Sequence, residues 1–69
     1  MMHLIYVVED DENIRNLICV ALKNFGYRPE GFETAEEALD RLGGIIKRGK
    51  EAYRELPSMF IFDWMLPGM

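Results

Sequence analysis

The sequence has a single cysteine, a single histidine, few basic residues and no long apolar stretch, and each shortage excludes a class of protein. Cys19 alone cannot close an internal disulfide, so the stapled mini-domains of secreted proteins are excluded and a reducing, cytoplasmic setting is the expectation. Eight Lys and Arg stand against twelve Asp and Glu, for a net charge of −4. That is the wrong sign for a surface that neutralises nucleic-acid phosphates, so no direct nucleic-acid contact is expected from this segment. The longest apolar run, Leu4 to Val8, is far too short to span a bilayer, and no basic segment followed by an apolar stretch of signal length opens the chain. Neither a membrane span nor export is expected.

With 69 residues, 49% of them hydrophobic, the chain can form one small domain. A chain this short buries only about 60% of its unfolded surface, which leaves no room for a second core. No internal repeat and no low-complexity segment interrupts it.

Leu4-Ile5-Tyr6-Val7-Val8 is apolar throughout rather than alternating, and Glu9-Asp10-Asp11-Glu12 ends it. This pattern predicts a strand buried on both faces, as in a parallel sheet covered by helices. Ile14, Leu17, Ile18, Ala21, Leu22 and Phe25 then follow at helical spacing, with Asp11 as N-cap and Gly26 as a left-handed C-terminal stop. Their stripe is expected against the core, with Cys19 beside it. Residues Tyr27 to Phe32 form a second strand, which Pro29 assigns to an edge.

Thr34 with Glu37 three residues on forms a capping box, and Ala35, Ala38, Leu39 and Leu42 continue a second helix. Gly43-Gly44 favours a break, yet Leu42, Ile46, Gly49, Tyr53 and Leu56 keep a 4-3-4-3 spacing through it; a broken and a long helix both remain open. Lys47, Arg48, Lys50 and Arg54 make that stretch basic and read as a solvated face. After Pro57, Ser58-Met59-Phe60-Ile61-Phe62 predicts a third buried strand that ends in Asp63.

The sum is a βαβαβ pattern, an α/β fold with a parallel sheet. In such sheets sites form at the carboxyl ends of the strands, where Glu9, Asp10 and Asp63 are expected to converge. Three like charges held together are costly unless a cation occupies them, and hard oxygen ligands in a partly open site suit Mg²⁺. Either feature alone is a common turn or cap; the coincidence at two neighbouring strand ends is what points to chemistry.

These residues resemble a known family. Val7-Val8-Glu9-Asp10-Asp11 and Phe62-Asp63-Trp64-Met65-Leu66-Pro67-Gly68 are similar to the two acidic motifs of response-regulator receiver domains, the CheY-like, flavodoxin-like fold. The resemblance implies that residues 1–69 make a partial receiver, its first three strands and the helices between them. It implies Asp63 as the residue phosphorylated by a partner histidine kinase. Asp10, Asp63 and the main-chain carbonyl of Met65 would be Mg²⁺ ligands, with Glu9 acting mainly through water. A receiver of this kind takes part in its own phosphorylation and is not a turnover enzyme.

The Trp-Met-Leu-Pro-Gly run is most similar to receivers that precede winged-helix DNA-binding output domains. Two departures accompany the likeness. The stretch from Gly43 to Leu56 is longer than usual, which implies an extended helix or an inserted loop. The sequence also stops before the family's fourth and fifth strands, whose ends supply a Ser or Thr and a Lys at the phosphoryl group. Weak Mg²⁺ binding at best, and little or no phosphorylation switch, is expected of these residues alone. The third strand then becomes an edge with an exposed apolar face, to be covered by a second copy, a swapped segment or further residues.

Other readings fit less well. A pseudo-receiver that binds partners without phosphorylation would not need Glu9, Asp10 and Asp63 together. A phosphatase or phosphotransferase of the strand-terminal Asp type wants a second acid where Met65 stands. A dinucleotide-binding unit needs a glycine-rich turn in place of Glu9-Asp10-Asp11-Glu12, and no EF-hand spacing occurs. His3, without a second histidine, is not a metal site, and the scattered methionines form no cofactor box.

Overall fold

The computed structural model describes residues 2–62. In chain order these form β1 (Leu4–Val8), α1 (Glu12–Asn24), β2 (Arg28–Phe32), α2 (Ala35–Lys47), a 3₁₀ turn (Lys50–Glu55) and β3 (Met59–Phe62). The three strands make one parallel sheet in the order β2-β1-β3. All five residues of β1 are buried, as its uninterrupted apolar run predicts for a central strand.

Both helices start where their caps dictate. The Asp11 carboxylate accepts a hydrogen bond from the Ile14 N–H at 3.1 Å, and Thr34 Oγ1 accepts one from the Glu37 N–H at 3.3 Å. The return arm of the capping box lands one residue early: Glu37 Oε2 accepts from the Glu33 N–H at 3.4 Å rather than from Thr34. Helix α1 stops at Gly26, φ +89°, with the Gly26 N–H on the Lys23 carbonyl and the Tyr27 N–H on the Leu22 carbonyl, each at 3.0 Å.

Adjacent residues of β2 place the helices on opposite faces of the sheet, because side chains alternate along a strand. A Cβ on Gly31 would meet the Arg15 side chain of α1, whereas Phe32 packs with Ala35 and Ala38 of α2. The core on the α2 face is Leu4, Tyr6, Val8, Phe32 and Ala38, joined by Leu42 and Phe60. Tyr6 lies 4.7 Å from the Phe32 ring and 5.4 Å from the Phe60 ring, centroid to centroid. On the opposite face Ile5 and Val7 are buried too.

Three expectations change. The α1 stripe is wider than the sheet it meets: Ile18, Cys19 and Leu22 are half-buried, while Leu17 is 70% and Phe25 79% exposed. The third strand begins at Met59 rather than Ser58, and it is the exposed edge expected of the order 2-1-3 rather than the buried strand that its apolar run alone predicts. As the outer strand beside β1 it has Met59 56% and Phe62 42% exposed, with Phe60 and Ile61 half-covered. The second strand starts at Arg28, and it is an edge as Pro29 requires.

Neither of the two patterns left open at Gly43-Gly44 describes the outcome fully. Helix α2 runs through both glycines and ends at Gly49, whose φ of +97° and ψ of 179° lie in a region open essentially to glycine alone. The chain then enters the 3₁₀ turn, and Arg48 spans the break with two hydrogen bonds to the Glu55 carboxylate, 2.8 and 3.1 Å. These bonds hold the Glu55 carboxyl below its ordinary range. A Cβ at position 43 or 44 would meet nothing within 4 Å. Gly43→Ala and Gly44→Ala are therefore each expected to stabilise the chain by about 0.5–1 kcal/mol. A urea midpoint that rises at constant slope reads the effect; a fall for both would mean that the helix needs its glycines.

Candidate functional site

The carboxyl end of β1 is where an acidic sequence meets a rigid frame. The Val8–Phe32 and Val8–Phe62 register pairs end the two ladders at the same level, so the chain leaves the sheet at Glu9 with β2 on one side and β3 on the other. Four polar atoms of Glu9 decide what happens there. Its N–H donates to the Phe32 carbonyl at 3.0 Å, adding one more rung between β1 and β2. Its carbonyl accepts from Arg15 Nη1 at 2.9 Å. One side-chain oxygen, Oε2, accepts from the Asp11 N–H at 3.0 Å.

The fourth atom, Oε1, is buried and has no hydrogen-bond partner among the described residues. Glu9 as a whole is 2% exposed. An uncompensated buried carboxylate oxygen is costly, and such a group calls for a cation, a proton or a water. Asp10, next along, is exposed, and both residues line a cleft with Val8, Glu33, Thr34, Ala35 and Phe62. Buried and mouth-side carboxylates in one cleft are a hard-oxygen donor set, which fits Mg²⁺.

Of the four residues assigned to the metal, the structure brings Glu9 and Asp10 together at this cleft. Asp63 and Met65 lie outside the described residues, as does the rest of the loop from Trp64 to Gly68. Phe62, the residue before Asp63, stands opposite Val8, the residue before Glu9. Among the described residues no group of three or more His, Cys, Asp or Glu side chains is placed to hold a metal ion. His3 stands apart from the cleft, its Nδ1 3.4 Å from Ser58 Oγ. Among the described residues no helix is long and apolar enough to cross a membrane.

Sequence reasoning passed over Arg15 and Gly31. The available signal was Gly31 itself: an isolated glycine inside a strand marks a place where something approaches the backbone closely. Here the Arg15 stem lies over it, with a Cβ at position 31 falling 3.0 Å from Arg15 Cδ.

Comparison with known proteins bears on the fold and the likeness. At 32% identity over 68 residues the chain is similar to the phosphate regulon transcriptional regulatory protein PhoB of Escherichia coli (strain K12), and equally to those of Klebsiella pneumoniae and Shigella dysenteriae. The match takes in 99% of this chain and 25% of each relative, so the chain spans about a quarter of the length of the curated relatives it matches. No family model and no solved structure matches it. Taken with the parallel β2-β1-β3 sheet and its flanking helices, the match shows an α/β chain that resembles the first three strands of a CheY-like response-regulator receiver.

Proposed function

We propose that the chain is part of a two-component receiver that accepts a phosphoryl group from a histidine kinase on Asp63, with Mg²⁺ held at the Glu9–Asp10 cleft. The observation that carries this reading is the buried Glu9 carboxylate, whose Oε1 has no partner among the described residues, at the end of the central strand. The likeness to a transcriptional regulator supports a DNA-binding output domain in the parent protein.

The residues divide the work by position. Asp10, at the mouth of the cleft, supplies a solvent-facing carboxylate for a cation that keeps several waters. Glu9, held at three of its polar atoms, presents Oε1 in a fixed direction and acts through water. Asp63 and the Met65 carbonyl complete the set on the family pattern, and Asp63 is the nucleophile that would carry the acyl phosphate. Bound Mg²⁺ offsets the charge on the transferring phosphoryl oxygens. The domain is a phospho-acceptor rather than a turnover enzyme.

Trp64 adjoins Asp63 in sequence and gives the test its signal. Titration of Mg²⁺ against Trp64 fluorescence is expected to show saturable quenching that Asp10→Asn weakens and Asp63→Asn abolishes, with circular dichroism unchanged. A small phosphodonor with Mg²⁺ should then add one phosphoryl mass to the wild type and none to Asp63→Asn. A folded protein with no Mg²⁺ response would instead favour a pseudo-receiver, an interaction module that works without phosphorylation.

A further inference from the structure

We propose that Arg15 is the positioning residue of the acidic loop, reaching the Glu9 carbonyl across a gap that Gly31 leaves in β2. The proposal deepens the receiver reading and rests on it for the role of the loop. Three observations carry it. Arg15 Nη1 donates to the Glu9 carbonyl at 2.9 Å, from the first turn of α1 back to the end of β1. The stem that reaches there lies on Gly31, where a Cβ would stand 3.0 Å from Cδ, 3.1 Å from Cγ and 3.5 Å from Nε. The far side of Glu9 is already fixed, by its N–H on the Phe32 carbonyl at 3.0 Å.

Together these bonds pin the peptide units before and after Glu9, one to β2 and one to α1. Pinning both fixes the backbone from which the side chain springs and sets the course of the chain to Asp11, whose N–H on Oε2 holds the carboxylate itself. Oε1 is therefore aimed before any cation arrives, and a preorganised ligand costs less ordering on binding. The choice of acceptor matters as well. Arg15 stands among Glu9, Asp10, Asp11 and Glu12 yet takes a neutral carbonyl, so its hydrogen bond shapes the loop without occupying a carboxylate oxygen that a cation would use. Gly31 makes room for this reach, since a Cβ there would push the Arg15 stem aside by a few tenths of an ångström.

The test uses Arg15→Met, which keeps most of the aliphatic stem and removes the donor, and Gly31→Ala, which leaves the donor and displaces it. Two readouts are taken: Mg²⁺ affinity from Trp64 fluorescence, and the exchange rate of the Asp11 amide without Mg²⁺. Each single substitution is expected to weaken Mg²⁺ binding roughly five- to tenfold and to speed Asp11 exchange, with the thermal midpoint little changed. The double variant should be no worse than either single one, because both act through one contact. A purely structural role would lower the midpoint and leave the affinity alone, and that result overturns the proposal. Should the wild type itself bind no Mg²⁺, the receiver reading fails separately, and Asp11 exchange decides: unaltered exchange in Arg15→Met overturns the positioning role, faster exchange upholds it.

Discussion

Tyr6→Ala is expected to abolish cooperative folding, while Tyr6→Phe is expected to stabilise the chain. Tyr6 is fully buried at the centre of β1, its ring tilted against Phe32 and edge-on to Phe60. Truncating a buried aromatic to alanine costs about 3–5 kcal/mol. At roughly 0.05–0.15 kcal/mol per residue, a chain of 69 residues has only about 3–10 kcal/mol in total, so the loss consumes from about a third to all of it. The hydroxyl has the opposite sign. It is buried with no partner among the described residues, a situation that costs about 1–3 kcal/mol in mutational series. Phenylalanine keeps both ring contacts and removes the orphan, for a gain of about 1 kcal/mol in urea unfolding.

The pH dependence of this pair follows from the same burial. Burial pushes the Tyr6 phenol above its ordinary pKa, with the Glu30 carboxylate adding to the shift. A raised pKa in the fold means that this contribution is whole below the unfolded value of about 10 and is lost as pH rises through the folded one. Wild-type stability should therefore fall in that alkaline window more steeply than that of Tyr6→Phe. Equal slopes would show that the phenol ionises as freely in the fold as in the unfolded chain, and a less stable Tyr6→Phe would show that the hydroxyl has a partner in solution.

The second large effect expected is concentration-dependent association through β3, relieved by Met59→Lys. Met59 is exposed on the outer strand of the three-stranded sheet that the described residues form, and an apolar edge strand is a template for further pairing. A lysine at position 59 replaces an already exposed side chain, so the fold should tolerate it while the edge becomes charged. Sedimentation velocity is expected to show self-association of the wild type that Met59→Lys weakens by roughly tenfold or more, about 1.4 kcal/mol. A wild type that stays monomeric at every concentration would mean that the edge is covered within one chain.

Much of the frame was legible because its signals are local. The unbroken apolar run of β1 required a central strand, and Asp11, Gly26 and Thr34 marked helix ends through bonds that reach no more than five residues. Pro29 put β2 at an edge for want of one donor. What local signals could not give was width. The number of strands beside β1 decides whether Leu17 and Phe25 are covered, and that is a property of the sheet rather than of any segment. Gly43-Gly44 left two outcomes open for a related reason: α2 packs on the sheet through Ala35, Ala38 and Leu42, and this contact outweighs two poor helix formers. At the site, the carboxylates were readable from their place at a strand end, but the Arg15–Gly31 contact joins residues sixteen apart that touch only once β2 lies beside β1.

Pro29 also sets a limit on stoichiometry. The Arg28 N–H points inward to the His3 carbonyl at 2.9 Å, so the next donor along β2 would point outward, and that is the one proline lacks. The β2 edge is interrupted at its second residue, whereas β3 carries no proline. Two copies that meet antiparallel through β3 would use up both receptive edges and present only their proline-bearing ones. Where the β3 edge of the described residues does pair with a second copy, that association is expected to close at a pair, a continuous six-stranded sheet about a two-fold axis, instead of growing into a filament.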